Sequence, residues 1–278
     1  MTLFSIIMPT LRPQLAQMAI DSIRASSPGI EFEIVVVSPF AFRGDNILYV
    51  EEADRRGSCH AQAMGYAASR GDVIVTFSDD HLATLGWLDT VEDLLAAKER
   101  QHFPFALGIS RAESSWFGTA FGLYYPYFPI LSRASVEKIG GWISSDYRAH
   151  FGDADLAMRV WQGGGRCELS FHSYLLVNPY QAEFVDSPLK SSAFDQDAAT
   201  FLDKYHAAHG NGFIRHIADA VEDYFYNYMQ DGTFMLRIPP RLVKDNAWEM
   251  SLAGELSRKL MFREPLSREP KTKPKVGS

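Results

Sequence analysis

Asp72-Val-Ile-Val-Thr-Phe77 runs directly into Ser78-Asp79-Asp80-His81. The short β-branched run reads as a buried strand, opened by the Gly71-Asp72 turn. It ends in two adjacent carboxylates and an imidazole. Like charges about 4 Å apart repel by roughly 4 kcal/mol at an effective dielectric of about 20, so the cluster calls for a positive neighbour. Open α/β sheets bind ligands beyond the carboxyl ends of their strands, where a divalent metal carrying a phosphate is the natural counter-charge.

Outward from this strand, residues 1–100 alternate strand and helix. Leu3–Met8, Glu33–Val37, Ile47–Val50 and Val73–Phe77 are the expected strands. Pro13–Ala25, Gly57–Ser69 and Trp87–Ala97 are the expected helices. The unbroken β-branched run at Glu33–Val37 suits a parallel sheet covered on both faces. Such alternation predicts an α/β fold with right-handed crossovers. Further on, Phe103–Ser110 reads as a strand, Tyr124–Leu131 as an aromatic strand or loop, and Ser135–Ile139 as a brief helix. Asp153–Gln162 is an expected helix stopped by Gly163-Gly164-Gly165, and Cys167–Phe171 an expected strand. Ala193–Ala208 and Phe213–Met229 have amphipathic helical patterns, and the basic, proline-containing tail after Ser257 is expected to be loose.

With 278 residues and 46% hydrophobic content, the chain has enough apolar material for a substantial core. A formal net charge of −7 argues against non-specific nucleic-acid binding. Cys59 and Cys167 are too few for a disulfide framework. No run reaches the roughly 20 apolar residues that cross a bilayer, and Leu3–Met8 is too short for a secretory core. These features predict a soluble cytoplasmic protein, with the basic tail a candidate for contact with the inner face of the membrane.

The motifs and their order resemble family 2 glycosyltransferases of the GT-A fold. Phe4-Ser-Ile-Ile-Met-Pro-Thr10 resembles that family's first strand, and Gly57-Ser-Cys-His-Ala-Gln-Ala-Met-Gly65 its Gly-rich helix start. Ser78-Asp79-Asp80-His81 falls at the Asp-x-Asp metal site, with Trp87-Leu88 at the usual downstream position. Ser132-Arg133 and Ile139-Gly-Gly-Trp142 resemble the stretch before the base motif. Phe151-Gly-Asp153-Ala-Asp155-Leu156 with Arg159 resembles the base motif itself. The likeness covers roughly residues 3 to 180. It departs at Ser38, where the family commonly has an acid, at Gln62-Ala63, at His81, at Gly152, and at Val177-Asn178.

The resemblance implies a GT-A nucleotide-diphospho-sugar transferase fold, a mostly parallel sheet flanked by helices. Residues 1–185 would form the catalytic domain, with the donor half in 1–100 and the acceptor half in 101–185. Residues 186–257 would be a helical extension or lid, and 258–278 a flexible basic tail. It further implies inverting transfer of a sugar from a nucleoside-diphosphate sugar to a hydroxyl acceptor, in surface polysaccharide or glycan assembly. The partners would be that donor and a glycan or lipid-linked acceptor, with a homodimer contact or acceptor cover from the later helices.

Sugar transfer requires a neutralised leaving diphosphate, a deprotonated acceptor and their alignment. Asp79 and Asp80 are candidate ligands for Mn2+ or Mg2+; His81 is a third, and its imidazole suits Mn2+ better. The ordinary alternative is that Asp80 or His81 caps a turn. Asp153 is the candidate general base, although an acid in a first helical turn also simply favours the helix dipole. Asp155 and Arg159 are spaced to pair on one helix face. Pro9, Thr10, Arg12, Ser38, Asp54, Arg56 and Gly57 are the candidate donor contacts. Trp142, Tyr125 and Asp155 are the candidate acceptor contacts, aromatic rings being equally good core material. His172, His206, His209 and His216 lack the carboxylate pattern of a metal site and read as solvated positions. Two rival readings are a non-catalytic sugar-nucleotide or glycan-binding module, and a sugar nucleotidyltransferase. Thr10-Leu-Arg-Pro13 lacks the Gly-rich loop that the latter needs for a triphosphate.

Overall fold

The computed structural model describes residues 2–111, 118–120, 123–183 and 188–206. The expected Phe213–Met229 helix, the basic tail, His209 and His216 lie outside the described residues, and so does most of the 186–257 extension. The chain order is β1 (Leu3–Pro9), α1 (Pro13–Ser26), β2 (Glu31–Ser38), β3 (Ile47–Glu51), α2 (Ser58–Ala68), β4 (Val73–Thr76) and β5 (His81–Ala83). Then come α3 (Val91–Glu99), β6 (Phe105–Arg111), β7 (Gly118–Ala120), β8 (Leu123–Tyr125), β9 (Pro129–Ser132), α4 (Arg133–Lys138), α5 (Gly152–Gln162), β10 (Arg166–Val177), a 3-10 turn (Pro179–Glu183) and α6 (Pro188–His206).

Eight strands form one sheet in the order β3-β2-β1-β4-β9-β6-β10-β5. Pairings β1–β2, β1–β4, β2–β3 and β6–β10 are parallel. β9 is inserted antiparallel between β4 and β6, and β5 lies antiparallel on the end of β10. Alternate residues of the central strands feed two apolar layers. Ile6, Met8, Ile34 and Val36 pack with Ala16, Ala19, Ile20 and Ile23 of α1 on one face. Ile7, Val35 and Val37 pack with Cys59 and Ala61 of α2, Leu156 and Trp161 of α5, and Phe201 and Tyr205 of α6 on the other. Each such aliphatic side chain taken fully out of water contributes about 1.5–3 kcal/mol. The small residues of α2 let it lie close on β1: a Cβ at Gly65 would come 2.4 Å from Ile7 Cγ2.

Several boundaries differ from expectation, α3 beginning at Val91 and α6 at Pro188, and three of the differences have identifiable reasons. The aromatic stretch 124–131 splits into β8 and β9, because Pro126 and Pro129 cannot donate to a ladder and interrupt the run. β8 joins β7 in a separate two-stranded sheet. The strand expected at Cys167–Phe171 extends to Val177 across a register break between Leu169 and Tyr174. His81, read as a possible turn cap, opens β5 and pairs with Val177.

Candidate active site

Because β1, β2 and β4 run parallel, Thr10, Ser38 and Ser78-Asp79-Asp80 emerge at one edge of the sheet. α2 and α5 run back down against the strands, so their N-termini lie at that same edge. Gly57 and the segment before α5 meet there. A Cβ on Gly57 would sit 2.1 Å from the Arg148 carbonyl oxygen, and Cys59 N–H donates to that oxygen at 3.2 Å. Gly57 also holds φ +117, a conformation that side-chain-bearing residues rarely adopt. Gly57→Ala is therefore expected to destabilise the fold by about 2–4 kcal/mol through overpacking and backbone strain. A urea unfolding midpoint measures this.

The cluster beyond the ends of β1 and β4 is organised by Arg12. Its guanidinium pairs with Asp79, Nη2 on Oδ1 and Nε on Oδ2 at 3.1 Å, and its Nη2 lies 3.6 Å from Asp80 Oδ2. Thr10 Oγ1 donates to Asp79 Oδ2 at 2.5 Å and accepts from Arg12 N at 3.0 Å. The sequence places Arg12 just ahead of Pro13, the first residue of α1. Burial pushes the Asp79 carboxyl above its usual range, and the bonds from Arg12 and Thr10 offset this only in part. Burial acts on Asp80 in the same direction. There the His81 bond and charge, the Ser78 hydroxyl and Arg12 together prevail and hold it below the carboxylate range. His81 Nδ1 lies 2.7 Å from Asp80 Oδ1. Its Nε2 is buried with no hydrogen-bond partner, in a ring packed edge-on to Phe128.

This geometry corrects the expected ligand trio. Asp79 already has both oxygens occupied, and its counter-charge is a guanidinium. His81 Nε2 is shut inside the protein, out of reach of a cation that also touches a diphosphate. Among the described residues no group of three or more His, Cys, Asp or Glu could hold a metal ion. Asp80, ionised and with Oδ2 facing Arg12 at a distance beyond hydrogen bonding, is the residue that fits a cation sharing its shell with substrate phosphates.

Asp153 stands in the first turn of α5, half-buried, accepting from Ala154 N at 2.9 Å. Among the described residues no cation pairs with it. Desolvation raises its pKa to about 7, only partly opposed by the backbone N–H groups of Ala154 and of Asp153 itself. Cys59 and Tyr125 both feel its charge, and burial together with that charge pushes both groups up.

Asp155, two residues on, is fully buried and differently used. Its Oδ1 accepts from Lys204 Nζ at 2.6 Å, Tyr205 OH at 2.7 Å and Tyr147 OH at 3.1 Å; Oδ2 accepts from Arg159 Nε at 2.8 Å. Arg159 also donates to the carbonyls of Gly141 and Trp142, each at 2.6 Å. The predicted Asp155–Arg159 pair thus exists and anchors the approach to α5. Asp155 itself is fully buried, with both oxygens bonded within the protein, so it is not open to an acceptor, which corrects that assignment.

Other assignments shift for similar reasons. Trp142 is buried, with Nε1 donating to Gln62 Oε1 at 3.0 Å, so it packs against α2 and offers no stacking face. Tyr125 is also buried. Ser38 is fully buried and its hydroxyl accepts from Phe40 N at 3.1 Å, closing its own turn in place of gripping a ribose. Pro9 ends β1 and pairs with Val37. Asp54 and Arg56 are exposed near the rim, Arg56 lying against His60. The residues that sequence reasoning missed are Tyr147, Asp197, Lys204 and Tyr205. Their signal was an acid set among Phe194, Phe201 and Tyr205 at three- and four-residue spacing on one helix face.

No protein-family model and no curated protein matches this chain. Solved structures do. The chain is similar to GalNAc-T7 with UDP, GalNAc and Mn2+, at 11% identity and TM-score 0.50, covering 63% of this chain and 44% of that one. It is similar to the mannosyltransferase PcManGT from Pyrobaculum calidifontis in complex with GDP-Man and Mn2+, at 18% identity and TM-score 0.50, covering 94% and 87%. It is similar to S. aureus TarS at 13% identity and TM-score 0.51, covering 94% and 53%. The fold is GT-A: a mostly parallel central sheet flanked by helices. No helix among the described residues is long and apolar enough to cross a membrane.

Proposed function

We propose that this protein is an inverting, metal-assisted glycosyltransferase that moves a sugar from a nucleoside-diphosphate sugar to a hydroxyl acceptor, in polysaccharide or related glycan assembly. One observation carries the reading. A half-buried carboxyl with pKa raised to about 7 and no cationic partner among the described residues stands at the strand-end edge that also bears Thr10, Arg12, Asp79 and Asp80. The GT-A fold, and neighbours described with UDP, GDP-Man and Mn2+, support it by analogy.

In this reading the diphosphate lies over the ends of β1 and β4. Arg12, whose side chain is 22% exposed, offers it a guanidinium, and Asp79 holds that guanidinium in place. Asp80 would hold Mn2+ or Mg2+, which when bound neutralises charge on the leaving group. His81 keeps Asp80 oriented and ionised. Asp153 takes the proton of the acceptor hydroxyl as it attacks the anomeric carbon opposite the leaving group, and that geometry inverts the configuration.

The test is release of nucleoside diphosphate from a panel of UDP, GDP, CMP and dTDP sugars with Mn2+ or Mg2+. Thermal shifts with the cognate nucleotide plus metal should also rise, since a ligand at about 100 times its Kd stabilises by about 2.7 kcal/mol. Asp80→Ala is expected to remove the metal-dependent part of that gain. Binding without turnover, unchanged by Asp153→Asn, would instead identify a non-catalytic module. Pyrophosphate release from a nucleoside triphosphate and a sugar phosphate would identify a nucleotidyltransferase.

A further inference from the structure

We propose that Asp197 of α6 is a positioning residue for the reaction: it fixes the turn that presents Asp153 to the acceptor. The inference rests on the reading of Asp153 as general base. The Asp197 carboxylate is 1% exposed and accepts from three consecutive backbone N–H groups, those of Arg148, Ala149 and His150, each at 2.9 Å. A carboxylate gathering several N–H donors from one turn leaves that turn a single conformation.

The next residues along the chain transmit this constraint to Asp153. Phe151 holds a left-handed φ of 64°, which a bulky residue keeps only where its surroundings impose it. Its ring lies 5.4 Å from both Phe194 and Phe201, residues one turn either side of Asp197 on α6. The His150 ring packs on Phe194 at 5.1 Å. Gly152 then presses against Ile143 and Cys59, and Asp153 comes next. One face of α6 therefore determines where the first turn of α5 points. Among the described residues, Cys59 of α2 and Tyr125 of β8 both respond to the charge of Asp153, Cys59 responds to Asp197 as well, and Arg148 and His150 are the ionisable residues of the turn itself.

The experiment compares Asp197→Asn with the wild-type chain, with Asp153→Asn in parallel. Asn keeps the side chain's shape but offers one acceptor oxygen where three N–H groups converge. Misplacement of a reacting group by about 1 Å lowers rates about 100-fold, so kcat should fall about 10- to 100-fold with the donor KM within about twofold. The thermal shift produced by nucleoside diphosphate plus Mn2+ should persist, showing an intact donor site. Loosening the turn admits water to Asp153, so the acid limb of the kcat profile should move to lower pH.

An unchanged kcat and limb would overturn the proposal. A lower kcat with an unmoved limb would overturn it too, by reducing Asp197 to a stability role. Should Asp197→Asn fail to fold, Asp197→Glu, which keeps the carboxylate, is read the same way and should give an intermediate kcat with a shifted limb. Turnover surviving in Asp153→Asn would instead sink the base assignment, whatever Asp197 does.

Discussion

Asp153→Asn is expected to abolish turnover while making the protein more stable. General base catalysis contributes about 10²–10⁴-fold, and the amide cannot take the acceptor proton. On the proposed reading, nucleotide binding is assigned to Arg12 and Asp80 and should survive. In the wild-type chain kcat should fall as pH drops below about 7, where the carboxyl becomes protonated. The stability effect has the opposite origin. Burial raises this acid from 3.8 to about 7, so the folded state binds the proton more tightly than the unfolded state. Stability from this group is therefore complete below the unfolded value and is lost as pH rises through the folded one. At 1.36 kcal/mol per pKa unit the interval corresponds to about 4 kcal/mol, reduced to about 2 kcal/mol for a half-buried group. Melting curves should show Asp153→Asn above wild type at pH 8, with the difference gone at pH 4. An inactive variant without that gain would indicate that the carboxylate is better solvated than the structure shows.

The second large effect is on folding. Asp155→Ala removes the one carboxylate that Arg159, Lys204, Tyr147 and Tyr205 share. Breaking a buried pair by deleting one partner typically costs about 3–5 kcal/mol, because the remaining charge stays buried and uncompensated. Much of a typical domain's net stability would be lost. α6 should loosen first, being tied to α5 through Lys204 and Tyr205. The expected readouts are a lower denaturation midpoint and faster amide exchange in α6. Lowering pH should act similarly only in strongly acidic solution. Burial opposes ionisation of Asp155, but Arg159, Lys204 and Tyr205 outweigh it and hold its carboxyl below the ordinary range. Its stabilisation is present above the unfolded value and lost as pH falls through the lower folded one.

The strand–helix alternation of residues 1–100 was legible because parallel strands buried on both faces carry unbroken apolar runs, as Glu31–Ser38 does. β5 was not, since a three-residue edge strand leaves almost no periodic signal. Within the site, the positions of Thr10, Asp79, Asp80 and Asp153 follow from chain order along one sheet edge. Their partners do not. Arg12 pairs with Asp79 through a contact spanning 67 residues, and local spacing carries no trace of it. The burial of Trp142 and Ser38 is equally illegible, because an aromatic or hydroxyl residue reads the same in sequence whether it faces a ligand or its own chain. The helices after residue 190 were expected to cover the acceptor side or form a dimer contact. In α6, Phe201 and Tyr205 complete the same apolar layer as Ile7 and Val35, a packing role that the amphipathic pattern alone does not distinguish from a cover.

At the seam where Gly57 meets the Arg148 carbonyl, the start of α2 and the segment before α5 touch main chain to main chain. No side chain there can lengthen, shorten or swing, so the spacing across the junction is written in peptide geometry and withstands drift in the surrounding sequence. Sequence change is left to exposed positions such as Leu11, Phe40 and Tyr127, which are open to substitution.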